Sequence, residues 1–233
     1  MLAIFKREFK SYFSTPIGYI VLAAFYFFLG VNFWDIFSFG APQVEYVISQ
    51  MLTVTVFLMP ILTMRLMSED RRQKVDQALF TAPVKLTSIV FGKFLAAFSV
   101  FALGFAPTII FEIIIMAYVN VNILTYLYAL FGILLLGSAL VAIGMFISCL
   151  TESSVISAIL TLVINLLTLY MTSFAQIISV EWISTVLSKM AFINMYSNFG
   201  QEYFSLPDVF YFLSITAAFL FLCVRALEKR RWA

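Results

Sequence analysis

Residues 124–149 read LTYLYALFGILLLGSALVAIGMFISC and contain no charged side chain. A helix needs about 20 consecutive apolar residues to cross the hydrocarbon core of a bilayer, so this segment predicts a membrane-spanning helix. Similar runs occupy about 17–37, 46–64, 88–117, 155–174 and 207–226. Over the 233 residues, 63% are hydrophobic and 11% are charged, against roughly 25% charged in soluble domains. The sequence therefore predicts one all-α, polytopic membrane domain over residues 1–233, with six transmembrane helices.

The residue inventory excludes several classes of chemistry. The chain has no histidine, so it cannot build His-ligated metal sites, Ser-His-Asp triads or imidazole proton relays. Its two cysteines, Cys149 and Cys223, lie in separate apolar segments and form neither a CxxC motif nor a disulfide framework. No GxxxxGK[ST] motif is present, so the chain has no Walker A loop for ATP. We expect no catalytic residue, metal or cofactor in this chain, and no nucleic-acid partner.

The positions of Lys and Arg predict the orientation of the chain. Three lie in the N-terminal stretch, six in residues 65–93 and four at the C-terminal end, and only Lys189 lies elsewhere. The connections at 38–45 and 118–123 have none. Because short cytoplasmic segments are enriched in Lys and Arg, both termini and the 65–93 loop are predicted to face the cytoplasm.

Three segments outside the spans have distinct patterns. Residues 1–14 place Leu2, Phe5 and Phe9 on one helical face, which is typical of an amphipathic helix lying in the membrane interface. Residues 65–86 combine dense charge of both signs with a short apolar part, a composition that a solvated loop would also have. Residues 176–206 are mixed in polarity and too interrupted to span.

Several short motifs follow one another in a particular order. They are Phe5-Lys-Arg-Glu-Phe9, Ser14-x-Pro16-x-Gly18-Tyr19, Pro60-x-Leu62-Thr-Met-Arg65, Glu69-Asp-Arg-Arg72, Leu79-Phe-Thr-Ala-Pro83, Gly92-Lys93 and the ending Leu227-Glu-Lys-Arg-Arg-Trp232. With the six spans, this ordered set resembles the permease subunits of type-2 ATP-binding-cassette exporters. Within that family it is most similar to the gliding-motility-associated permeases.

The resemblance implies a permease of an ABC transporter that exports substrate across the bacterial cytoplasmic (inner) membrane and is not an enzyme by itself. ATP and Mg would be bound by a separate ABC ATPase subunit. A second permease chain, the same or different, would complete the pathway, and an additional membrane or extracytoplasmic component is compatible with this arrangement. Residues 1–14 would form an elbow helix, 65–86 would contain a coupling helix that docks on the ATPase, and 176–206 would form outer re-entrant helices. The candidate coupling contacts are Glu69, Asp70, Arg71, Arg72, Lys74 and Asp76.

Polar residues within the spans are the second set of candidates. Glu112 lies in the third span, where a lipid-facing carboxylate would cost at least ~2.5 kcal/mol, so it should face inward or be paired. It could line the translocation pathway or be a structural group near the outer interface. One face of the fifth span carries Ser157, Thr161, Asn165, Thr168 and Thr172. Such a stripe packs against protein rather than lipid, either at a subunit interface and pathway or between helices of one chain. Pro107 removes an amide donor and is predicted to kink the third span.

Two other functions compete with an ABC permease. A secondary transporter or channel independent of ATP would normally have intramembrane charges, discontinuous helices or an internal repeat. Glu112 is the only clear intramembrane ionisable residue, and no repeat is visible. An intramembrane enzyme would need histidines or a pair of intramembrane carboxylates, which the sequence lacks. The permease is therefore the preferred hypothesis, and no pocket chemistry in the sequence selects a substrate class.

Overall fold

The computed structural model describes residues 1–39, 44–74, 85–119, 121–177, 181–199 and 205–231. These residues contain helices and no strands, which confirms the predicted all-α class. The helices are α1 (Leu2–Ser14), α2 (Pro16–Phe39), α3 (Val44–Thr63), α4 (Ser68–Arg72), α5 (Leu86–Gly104), α6 (Ala106–Met116), α7 (Ile123–Leu150), α8 (Ser154–Ile177), α9 (Glu181–Met190), α10 (Phe192–Phe199) and α11 (Leu206–Arg231).

Six segments of the described chain are long and apolar enough to cross a membrane, as predicted. They are α2, the segment Val44–Arg72 that contains α3 and α4, α5 together with α6, α7, α8 and α11. α7 is the central helix. In its most apolar stretch of 18 residues, 78% of the residues are buried inside the chain, against 22% in the corresponding stretches of α2 and α8. α2 and α8 lie at the periphery of the bundle, and their exposed sides carry apolar residues such as Tyr19 and Ile159. An apolar helix surface that remains exposed in this way suits contact with lipid or with another membrane chain.

Two glycines of α7 allow its neighbours to approach closely. A Cβ added at Gly137 would lie 2.0 Å from Phe101 Cε1, and one at Gly144 would lie 2.2 Å from Thr63 Oγ1. Both distances are far inside van der Waals contact, so only glycine fits there without displacement. Small residues at such crossings are the usual means by which membrane helices pack tightly. α5 and α3 therefore pack directly against the backbone of α7.

The third span is broken at Phe105, between α5 and α6. Pro107 occupies the first turn of α6, where a missing amide donor breaks no hydrogen bond within that helix. The helix is thus interrupted two residues before the proline, in the part of the span where a kink was predicted. Beyond it, Phe33 of α2 stacks on Phe111 of α6 with ring centroids 3.9 Å apart.

In the described part of the chain, α1, α9 and α10 lie outside these apolar segments, and α4 forms the end of the second one. α1 coincides with the amphipathic helix predicted over residues 1–14. α4 has five residues and is much shorter than the 65–86 segment predicted to contain the coupling helix, and residues 75–84 of that segment lie outside the described part. α9 and α10 fall within 176–206, where short helices were predicted. The placement of α1 in the interface, and of α9 and α10 as re-entrant outer helices, stays a prediction.

Candidate functional site

A buried lysine lies where α1, α4 and α5 meet. The Lys93 side chain, in the second turn of α5, is only 1% exposed. Its ammonium donates to the backbone oxygen of Leu66 at 2.6 Å and lies 2.6 Å from Asp70 Oδ2 and 3.5 Å from Glu8 Oε2. A buried ammonium is costly unless charged or hydrogen-bonding partners surround it. Lys93 therefore connects three helices through one cationic group.

The preceding glycine allows this cluster to form. A Cβ at Gly92 would lie 3.0 Å from Ile4 Cγ2 and 3.4 Å from the Met1 carbonyl oxygen. A larger side chain would push α1 away from α5, and Glu8 would move with it. The Gly92-Lys93 pair thus combines a close helix approach with the cation that the approach buries.

Ser148, near the end of α7, holds the start of α4. Its hydroxyl accepts the backbone N–H groups of Met67 at 3.0 Å and Ser68 at 2.9 Å. The same hydroxyl donates to the Met64 carbonyl oxygen at 3.1 Å. The first N–H groups of a helix have no partner within it, and here a side chain from another span supplies one. α4 is consequently fixed to the central helix.

Arg71 ties α4 to the turn between α7 and α8. Its guanidinium donates to the Leu150 carbonyl oxygen at 3.1 Å and pairs with Glu152 Oε1 at 2.7 Å. Glu69, one turn after Arg65, forms a two-point ion pair with that residue. Glu69, Asp70 and Arg71, all predicted as contacts of a partner, are therefore engaged within this chain.

Two of the other predicted coupling residues lie on the surface of the chain. Arg72 and Lys74 are exposed, and neither forms an ion pair with another described residue. Lys74 also has a positive φ of 56°, an uncommon conformation for a residue with a Cβ, so the chain turns sharply there. Asp76 lies outside the described residues. The short helix thus has an inner side that contacts the spans and an outer, cationic side.

α1 is anchored to the end of α3 beside this cluster. The Tyr12 hydroxyl donates to the Leu62 carbonyl oxygen at 2.8 Å. Burial raises the pKa of the Tyr12 phenol, with a smaller contribution from the Glu8 carboxylate, so Tyr12 remains a neutral donor. A cavity of about 240 Å³ separates α1 from α4, and its lining includes Glu8, Arg65 and Gln73.

The polar residues predicted within the spans are Glu112 and the stripe of α8. Glu112 is 3% exposed, as expected for an inward-facing carboxyl, and its Oε1 has no hydrogen-bond partner among the described residues. In the stripe of α8, Ser157, Thr161 and Asn165 are fully buried within this chain. Thr161 packs near Gly144 and Thr63, since its Cγ2 would lie 3.1 Å from a Cβ at Gly144.

The two outer members of the stripe have local partners. Thr168 donates to the Asn165 carbonyl oxygen at 2.8 Å, and Thr172 donates to Asn194 Oδ1 of α10 at 3.4 Å. Together with the burial of the other three, these contacts favour packing between helices of one chain over an interface between subunits. Among the described residues, no hydrogen bond or ion pair joins the stripe to the charged residues of α4.

Residues 1–201 match the ABC-2 type transporter family. This chain belongs to that family. The match covers every described helix from α1 to α10 and so includes the residues that hold α1 and α4. No match to a curated protein was found. As an ABC-2 membrane component the chain is a permease subunit of an ABC transporter, a class that acts with an ABC ATPase.

Several contacts of this ABC-2 chain were not predicted from the sequence. Glu8, Ser148 and Tyr12 hold α1 and α4 in place, but none has a local pattern that marks it. The position of Lys93 was informative, because a lysine within an apolar run must either have a buried partner or extend to the membrane interface. Its partner Asp70 precedes it by 23 positions, and sequence alone cannot select that carboxylate among the others of the 65–86 segment.

Proposed function

We propose that this ABC-2 permease is part of an ATP-driven exporter, most similar to the gliding-motility-associated permeases. A separate ATPase chain binds ATP and Mg and hydrolyses the nucleotide. Two permease chains, identical or different, and two ATPase chains form the transporter in the bacterial inner membrane, with both termini and α4 in the cytoplasm. The Lys and Arg distribution supports this orientation.

The attachment of α4 is the observation that supports coupling. α4 contacts α5 through Asp70 and Lys93, α7 through Ser68 and Ser148, and the α7–α8 turn through Arg71. A five-residue helix held at three points moves with the helices that hold it. A force applied to its exposed side by an ATPase would thus reach the third span, the central helix and the start of the fifth span.

The two sides of α4 then have different roles in the proposal. Arg72 and Lys74, which are exposed, contact acidic groups of the ATPase, and such charges set docking orientation and association rate. Asp70 and Arg71 transmit the movement inward. This division replaces the expectation from the sequence that all of residues 69–72 contact the partner directly.

Affinity purification tests the outer side of α4. The tagged chain, with Arg72→Glu and Lys74→Glu together, is purified from its own membranes, and co-purified ABC ATPases are quantified by mass spectrometry. We expect at least a 10-fold loss of ATPase, because two attractive charges become repulsive. A matched control reverses Lys6 and Lys10 of α1, which removes the same charge and should retain the ATPase.

Two results would contradict the proposal. Equal recovery of the ATPase with the wild-type chain and the double variant would remove Arg72 and Lys74 from the interface. Loss of the ATPase in both charge-reversed proteins would show a general effect of charge rather than a contact of α4. Insertion of each variant is checked by its yield in the membrane fraction.

A further inference from the structure

The central helix α7 and the last helix α11 are in contact along their length. The hydroxyls of Ser138 and Thr216 lie 3.0 Å apart, and the rings of Phe146 and Phe219 have centroids 5.7 Å apart. At the far end, Arg230 donates to the Cys149 carbonyl oxygen at 2.7 Å. The two helices are thus held together at Ser138 and Phe146 of α7 and again at Cys149 itself.

The two cysteines of the chain lie on these two helices, Cys149 near the end of α7 and Cys223 on α11. Cys149 is 1% exposed and Cys223 is fully buried, and both are free thiols. Thr216 and Arg230 lie seven residues before and after Cys223, so all three share one face of α11, and both contact α7, Arg230 at the carbonyl oxygen of Cys149 itself. In the sequence these residues lie in two separate apolar segments, with nothing to indicate that the segments pack together. The fold instead places them side by side on two different spans.

We propose that Cys149 and Cys223 form an oxidisable dithiol that a two-electron oxidant converts into a disulfide joining α7 to α11. In the reaction each thiol loses its proton, two electrons pass to the oxidant, and one S–S bond forms. With a diazene dicarboxamide as oxidant, the N=N bond accepts two electrons and two protons and becomes a hydrazine. A disulfide requires Cα atoms roughly 4.4–6.8 Å apart, a separation that closely packed helices with facing thiols provide.

The position of the pair gives the bond a structural consequence. Cys149 lies between Ser148, which holds the start of α4, and Leu150, which accepts from Arg71. A covalent link at this point prevents α7 and α11 from separating beside α4. Disulfides in reducing compartments are usually transient, so the dithiol would respond to oxidative conditions. This inference rests on the contact between helices and is independent of the proposed transport function.

Thiol counting in the full-length membrane protein tests the proposal. Membranes are treated with diamide, a membrane-permeable diazene dicarboxamide, and then denatured in SDS and labelled with a polymer-linked maleimide. The reduced wild-type chain should take up two labels, and the oxidised chain should take up none. Treatment with dithiothreitol before labelling should restore both labels. Peptides linked between α7 and α11 should appear in the non-reduced digest by mass spectrometry.

Matched variants make the result specific. Cys149→Ser and Cys223→Ser should each retain one label with or without diamide. In the Cys223→Ser background, Leu222→Cys adds a thiol on the exposed side of α11 and should not pair with Cys149. In a chain without Cys149 and Cys223, Ser138→Cys with Thr216→Cys replaces two hydroxyls 3.0 Å apart and should be oxidised.

The proposal is overturned if the chain with Ser138→Cys and Thr216→Cys loses its labels while the wild-type thiols keep theirs. It is equally overturned if wild-type labels are lost but not recovered by dithiothreitol, because the thiols would then have been oxidised singly. A linked dimer in place of the linkage within one chain would also contradict it.

Discussion

Replacing Lys93 with methionine tests whether the buried cation holds α1, α4 and α5 together. Methionine keeps most of the unbranched stem and removes the ammonium, so the apolar packing around the side chain is nearly retained. The variant loses the hydrogen bond to Leu66 and both contacts with carboxylates. Asp70, at 2.6 Å, loses its closest cation, whereas Glu8 keeps Arg7 at 2.6 Å.

The size of the effect follows from the burial of the three groups. Removing one partner of a fully buried ion pair costs ~3–5 kcal/mol. The side chains of Asp70 and Glu8 are 21% and 15% exposed, so water partly solvates the carboxylates that Lys93 leaves behind. We therefore expect Lys93→Met to lower the free energy of unfolding by about 2–3 kcal/mol. This is less than for a fully buried ion pair and close to the contribution of a single hydrogen bond to a charged group. Asp70→Asn should cost less, about 1–2 kcal/mol, because Lys93 keeps Leu66 and Glu8.

A double-mutant cycle measures the coupling directly. Unfolding is followed by SDS titration in mixed micelles for Lys93→Met, Asp70→Asn and the combined variant, with Lys6→Met as the control for loss of an exposed charge. The two costs should be non-additive by about 1–2 kcal/mol, since each change removes the same contact. Costs that add within ~0.5 kcal/mol would show that Lys93 and Asp70 do not interact, and the account of α4 anchoring would fail.

Two further predictions concern packing inside the bundle. Gly137→Ala should destabilise the chain by about 1–3 kcal/mol because the new Cβ would meet Phe101 at 2.0 Å, whereas Gly30→Ala has open space and should be neutral or slightly stabilising in the same titration. Asn165→Leu keeps the branched skeleton and removes a buried amide that has no partner among the described residues, so it should stabilise by about 1–3 kcal/mol. Ser148→Ala should instead destabilise the chain, because it removes a hydroxyl that makes three hydrogen bonds. If Asn165→Leu destabilised the chain, the Asn165 amide would have a hydrogen-bond partner, and the reasoning would be refuted.

The spans were predictable because a bilayer imposes a length and an apolar composition on each segment separately. The run at 124–149 became α7 (Ile123–Leu150), and the run at 155–174 became α8 (Ser154–Ile177). The differences at the ends amount to a few residues. The break at Phe105 was also predictable, since Pro107 acts through its own missing N–H and needs no distant partner.

The anchoring of α4 was not predictable in the same way. Ser148 contacts the backbone of Met67, a residue 81 positions earlier, and nothing in either neighbourhood indicates the other. The charges of residues 69–72 indicated a polar surface, but charge alone does not distinguish an ion pair within the chain from a contact with a partner. The structure makes that distinction for Asp70, which faces Lys93, and for Arg71, which faces Glu152.

The stripe of α8 shows the limit of periodicity most clearly. Helical spacing placed Ser157, Thr161 and Asn165 on one face, and the cost of polar groups in hydrocarbon required protein opposite that face. That requirement is met equally by another helix of the same chain and by a second subunit, because both exclude lipid. The packing of α8 against the rest of the bundle, with these three residues fully buried, favours a contact within one chain. The exposed apolar side of α8, which includes Ile159, is then the surface left to contact lipid or another membrane chain.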